Sequence, residues 1–110
     1  MDDRRQELRT RLEDHYRSQG WSVERAADGT LHAAGPGGVT WVGATVVPTD
    51  LGSPHFAERL VELSARRMSG GELCPLDVLA AEECAGEVRT LLDRLGLAGR
   101  PHISFYANTS

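Results

Sequence analysis

The longest apolar run in the chain is Gly38-Val39-Thr40-Trp41-Val42-Gly43-Ala44-Thr45-Val46-Val47. It constrains the fold more than any other stretch. It is short, rich in β-branched residues, and bounded by Gly35-Pro36-Gly37-Gly38 before and Pro48 after, the signature of a strand. Alternation puts Val42, Ala44 and Val46 on one face and Val39, Trp41 and Val47 on the other. Both faces are apolar. Such a strand is central in a sheet, or one of its faces meets another surface.

The register of the strands before it follows from a turn signal. Asp28-Gly29 sits between Trp21–Arg25 and Thr30–Ala34. A two-residue loop would pair Arg25 with His32 and mix polar with apolar side chains on one face. A three-residue loop, Ala27-Asp28-Gly29 with Gly29 left-handed, pairs Val23 with Ala33 and Arg25 with Leu31. Trp21, Val23, Leu31 and Ala33 then share a face, and burial of one face selects this register. The glycine-rich turn at 35–38 leads into the apolar strand and completes a three-strand meander. Pairing Ala34 with Val39 places Val42 beside Leu31 on the core face and Trp41 opposite His32 on the other.

The remaining elements are helical apart from the end. Residues 3–19 repeat Leu8, Leu12 and Tyr16 at i, i+4, i+8, with Asp2 and Asp3 at the helix start and Gly20 as the stop. That stripe is narrow, so the helix lies on the core. Ser53-Pro54 opens a second helix, with Phe56, Leu60, Leu63 and Met68 on its apolar face as far as Ser69-Gly70-Gly71. Cys74–Leu79 reads as a connecting segment with at most one helical turn. Ala81, Cys84, Val88, Leu91, Leu92 and Leu95 form a third helix stopped at Gly96, with Gly86 inside it for the close approach of a neighbour. Residues 101–106 alternate as a short last strand. The expected architecture is α+β in the order α-β-β-β-α-α-β. A three-strand antiparallel meander, with the last strand as a candidate fourth, carries the three helices on its core face.

Composition bounds the chemistry. The 110 residues suit one domain, and a net charge of −4 comes from 16 acids against 12 bases, every base an arginine. The absence of lysine excludes Schiff-base chemistry and a lysine general base. The arginine, glycine and alanine usage points to a GC-rich bacterial genome. The polar start and the lack of any long apolar run lead to an expectation of a cytoplasmic protein with no membrane association and with Cys74 and Cys84 as free thiols.

No motif assigns a reaction. The nine residues between Cys74 and Cys84 do not supply zinc-finger spacing, and His15, His32, His55 and His102 stand apart, so no metal or cofactor is expected. Cys74 with His55 or His102 as base is the catalytic candidate, and a small hydrolase using it or a His/acid pair is the enzymatic alternative. Pro75 removes the following N–H as an oxyanion donor. The Gly35–Gly38 turn opens a strand, and without a lysine it is no phosphate loop. The helix–three strands–helix order is similar to the core of many metal-dependent nucleases, which carry carboxylates on the second and third strands and a lysine nearby. Residues 38–49 contain no carboxylate, so that active site is missing. Glu58/Glu62 and Glu82-Glu83 fall on helix faces expected to be solvated. Nucleic-acid binding through Arg4, Arg5, Arg9 and Arg11 of the first helix is a second alternative, disfavoured because the acidic chain shows no basic patch.

Trp41 has two readings. It is covered by the third helix or the last strand in a two-sided sheet. Or, with Val39 and Val47 and rimmed by His32, Glu24 and Thr45, it forms an interface. The second reading makes the chain a non-catalytic regulatory, adaptor or chaperone-like protein that forms a homo-oligomer or binds a protein partner through Trp41, Val39, Val47, His32 and Glu24.

Overall fold

The computed structural model describes residues 3–26 and 29–108. In chain order these form α1 (Asp3–Ser18), β1 (Ser22–Arg25), β2 (Leu31–Ala34), β3 (Thr40–Val46), α2 (Phe56–Ser64), β4 (Leu76–Ala81), α3 (Ala85–Arg94) and β5 (Ile103–Asn108). Short 3-10 turns at Pro36–Gly38, Pro48–Gly52 and Glu82–Cys84 join them. The class is α+β. The sheet is mixed and holds five strands in the order β1-β2-β3-β4-β5, antiparallel as far as β3 and parallel from there on. Among the described residues no helix is long and apolar enough to cross a membrane.

The correction to the expected meander lies in β4. Residues 76–81 are not a connecting turn but a strand inserted between β3 and β5, with all six residues buried. A strand covered on both faces has no polar–apolar alternation, and its run into Ala-Ala-Glu-Glu resembles the start of a helix. The third helix accordingly begins at Ala85, after a 3-10 turn, and not at Ala81. The second helix is also shorter than expected. It ends at Ser64, and Met68 lies in a turn closed by Met68 N–H to Glu72 O (2.7 Å) and Gly71 N–H to Met68 O (2.9 Å). A Cβ at Gly86 would meet nothing within 4 Å, so that glycine serves no close approach.

The β1–β2 register is the one argued from alternation: Val23 pairs with Ala33 and Arg25 with Leu31, with Gly29 at φ +89°. Ala27 and Asp28 of that loop, and Asp2 of the helix start, lie outside the described residues. The β2–β3 register differs by one. Ala34 pairs with Thr40, Ala33 with Trp41 and His32 with Val42. The cause is the turn: Gly35 N–H bonds to Val39 O at 2.9 Å, so Pro36–Gly38 alone make the loop. Gly37 and Gly38 both sit at positive φ (74° and 79°), which only glycine reaches cheaply. A slip of one residue moves every side chain to the opposite face.

Two helical layers follow from this. One sheet face carries Leu31, Ala33, Trp41, Gly43, Asp77 and Leu79 and is covered by α1 through Leu8, Leu12 and Tyr16. The other carries Val42, Ala44, Val46, Val78, Ile103 and Phe105 and is covered by α2 and α3. Both crossovers, β3-α2-β4 and β4-α3-β5, join parallel neighbours, and the common handedness of such units puts their helices on one face. Gly43 lets α1 settle onto β3, since a Cβ there would lie 2.7 Å from Leu12 Cδ2 and 2.9 Å from Tyr16 Oη. Beside it the Tyr16 hydroxyl donates to Asp77 Oδ2 at 2.8 Å.

Candidate interaction surface

The five residues expected to share one patch are separated by the observed register. Trp41 lies on the α1 face, where it stacks on Trp21 (centroids 5.0 Å apart, planes 20° apart), and Trp21 in turn stacks near Tyr16 at 5.9 Å. This ladder half-buries Trp41 with the chain's own side chains. His32 lies on the opposite face beside its cross-strand partner Glu24, with Nε2 at 3.3 Å from both Thr30 Oγ1 and Arg66 Nη1. Val47 is buried, Val39 half-buried and Glu24 exposed. His32 and Glu24 remain cross-strand partners.

The thiols and the basic helix are placed as follows. Cys74 and Cys84 are both free and buried, and burial pushes both thiols up, with the Arg66 charge opposing this at Cys74. A thiol raised in this way carries little thiolate, the form that attacks. His102, one of the two candidate bases, sets Nε2 at 2.8 Å from Ser64 O at the end of α2, where the ring nitrogen acts as a donor. His55 is exposed at the α2 start and faces Glu58 at 3.6 Å. Among the described residues no three of His, Cys, Asp and Glu come together in a group that could hold a metal ion.

The arginines of α1 are not aligned as one outward stripe. Arg4 reaches Glu83 at 2.7 Å and Arg5 reaches Asp50 at 2.6 Å. Asp50 also accepts the Val47 N–H at 3.0 Å, so the Arg5 pair ties α1 to the turn that follows β3. Arg9 lines a small cavity of about 70 Å³ between α1 and α2, shared with Arg5, Asp50, Phe56 and Arg59. Arg4 and Arg5, two of the four arginines in the nucleic-acid argument, are thus engaged in ion pairs that tie α1 to the rest of the fold.

What the fold leaves uncovered lies on the other side of α1. A single helix covers the α1 face, lying over β1 to β4 and leaving the β5 side open. There Leu79 and Tyr106 are cross-strand partners, and with Leu12, Arg11 and His15 they line a groove of about 260 Å³. Tyr106 is 49% exposed, the most exposed large apolar side chain among those described.

β5 is also the last strand of the sheet, and its pairing with β4 fixes its backbone phase. Leu76 N–H donates to His102 O at 2.8 Å, so with the parallel register Ser104, Tyr106 and Asn108 turn their backbone groups toward β4. Phe105 and Ala107 turn theirs outward. Residues 101–108 contain no Asp, Glu or Arg. The opposite edge, β1, is four residues long and carries Glu24 and Arg25, with Arg25 paired to Glu13 of α1. Short length and charge are the usual protections of a sheet edge, and β5 has neither.

Sequence reasoning missed this surface. The uncharged composition of 101–108 is visible in the sequence, but that it forms an edge depends on β4 entering the sheet beside it. No protein-family model, curated protein or solved structure matches the chain.

Proposed function

We propose that this chain is a non-catalytic protein–protein contact module, acting in a regulatory, adaptor or chaperone-like role, which engages polypeptide along the β4–β5 side of its sheet. The observation that carries this reading is the uncharged β5 edge joined to the half-open groove of Leu79 and Tyr106. An open edge offers main-chain hydrogen bonds to an incoming strand, and the pocket beside it takes alternate side chains. A hydrolase built on Cys74 is less well supported, because its thiol is buried and raised. The surface around Trp41 is less suited to the role, because Trp21 already occupies one face of that ring.

The test is site-specific photo-crosslinking in cells, with a benzophenone amino acid replacing Tyr106 in one version and exposed Thr90 of α3 in another. The expected result is an adduct of defined mass with a polypeptide at position 106 and none at 90. No adduct at 106, or equal labelling at both positions, overturns the reading.

A further inference from the structure

The β5 edge is its own complement. Outward groups along it run in the order Ile103 C=O, Phe105 N–H and C=O, Ala107 N–H and C=O; the Ile103 N–H is already bonded to Arg100 O at 3.1 Å. Set two such strands antiparallel about a two-fold axis through Phe105. Phe105 then faces Phe105, and Ile103 faces Ala107. Each Phe105 N–H meets the other copy's Phe105 C=O, and each Ala107 N–H meets the other copy's Ile103 C=O. Four inter-chain hydrogen bonds result, and every outward donor in the strand is used. Only the two Ala107 carbonyls remain for water.

From this geometry we infer that the polypeptide engaged at β5 is a second copy of the same chain, forming a two-fold dimer with one continuous ten-strand sheet. This rests on the contact-module reading and names its partner. Charge favours self-pairing at this edge and nowhere else on the sheet. The chain carries −4 overall, so two copies repel, and an uncharged strand is where they approach with least opposition. At β1 the same operation would bring Glu24 and Arg25 of both copies into a four-residue pairing. On the groove side, each Tyr106 stands opposite Ser104 of the second copy, a small residue that leaves room for the ring. A self-complementary edge of this kind gives a closed, isologous contact, so association stops at two copies.

The experiment is sedimentation velocity on the full chain over about a hundredfold range of concentration, because a dimer's population follows mass action. The wild type is compared with Ala107→Pro and Tyr106→Glu. Ala107→Pro removes an outward N–H and no bond to β4, and proline is tolerated at strand edges. Tyr106→Glu changes an exposed side chain and brings two like charges within reach across the axis. The wild type is expected to reach twice the chain mass. Each variant is expected to raise the dissociation constant at least ~10-fold, since two of four bonds or the neutrality of the edge is lost. If Ala107→Pro fails to fold, Tyr106→Glu decides alone. A wild type that stays monomeric throughout, or a dimer indifferent to both variants, overturns the inference. A monomer in solution whose Tyr106 position still crosslinks to a different polypeptide overturns self-pairing while sparing the contact-module reading; loss of both results removes the two together.

Discussion

Replacing Gly43 with alanine is expected to lower unfolding stability by about 3 kcal/mol, the sum of an overpacking cost and a disturbed buried hydrogen bond. The added methyl would sit 2.7 Å from Leu12 Cδ2 and 2.9 Å from Tyr16 Oη. Leu12 can rotate its terminal methyl away. Tyr16 cannot follow, because its hydroxyl is held at 2.8 Å by Asp77 and its ring stacks near Trp21. Either α1 lifts from the sheet, or the Tyr16–Asp77 bond breaks and leaves a buried carboxylate without its donor. Strand propensity alone predicts the opposite sign, since glycine inside a strand is weakening. Urea denaturation decides between them: a lower midpoint at unchanged slope supports the packing account, and an unchanged or higher midpoint rejects it.

The second large effect concerns Asp77 and its dependence on pH. Burial raises the Asp77 carboxyl above its ordinary value near 3.8, while the Tyr16 hydrogen bond and the His15 charge pull the other way and lose. The same burial, with the Asp77 charge, pushes the Tyr16 hydroxyl up, so it remains the donor throughout the working range. A carboxyl whose folded-state pKa is raised binds more protons folded than unfolded in the window between the two values. The stability it contributes is therefore present below about 3.8 and is lost as pH rises through the folded-state pKa. Asp77→Asn keeps an acceptor for Tyr16 but cannot ionise. The difference in stability, variant minus wild type, is expected to grow from low pH toward neutrality, as the wild-type carboxyl ionises in its buried site. Paired denaturation curves from acid to neutral pH measure it. A difference that is flat with pH, or that shrinks toward neutrality, contradicts the assignment.

Both effects depend on contacts that sequence reasoning reached unequally. The β1–β2 register was legible because Val23, Leu31 and Ala33 alternate cleanly with polar residues, and burial of one face leaves a single choice. The β2–β3 register was not. Gly35-Pro36-Gly37-Gly38 accommodates a loop of three or four residues about equally well in local terms. The choice falls to packing far along the chain: Gly43 must lie under Tyr16, and Trp41 must reach Trp21. That one residue decided whether Trp41 was free or stacked. β4 was hidden for a different reason. Leu76–Ala81 is covered by helices on both faces and includes Asp77, a residue uncommon in strands, whose polarity is satisfied by Tyr16 from 61 positions earlier. A pairing at that sequence separation leaves no local trace. The candidate surface inherits the same difficulty. Its composition is written in residues 101–108, but its position at the edge, and the groove between Leu79 and Tyr106, exist only once β4 has entered the sheet.

The most direct test of the central claim is amide hydrogen exchange along β5, followed by NMR at high and low protein concentration. Ser104 and Tyr106, bonded to β4, serve as internal references within the same strand. Self-pairing at β5 predicts that the Phe105 and Ala107 amides are protected at high concentration and exchange faster on dilution, while Ser104 and Tyr106 change less. Free exchange of Phe105 and Ala107 at every concentration would contradict it.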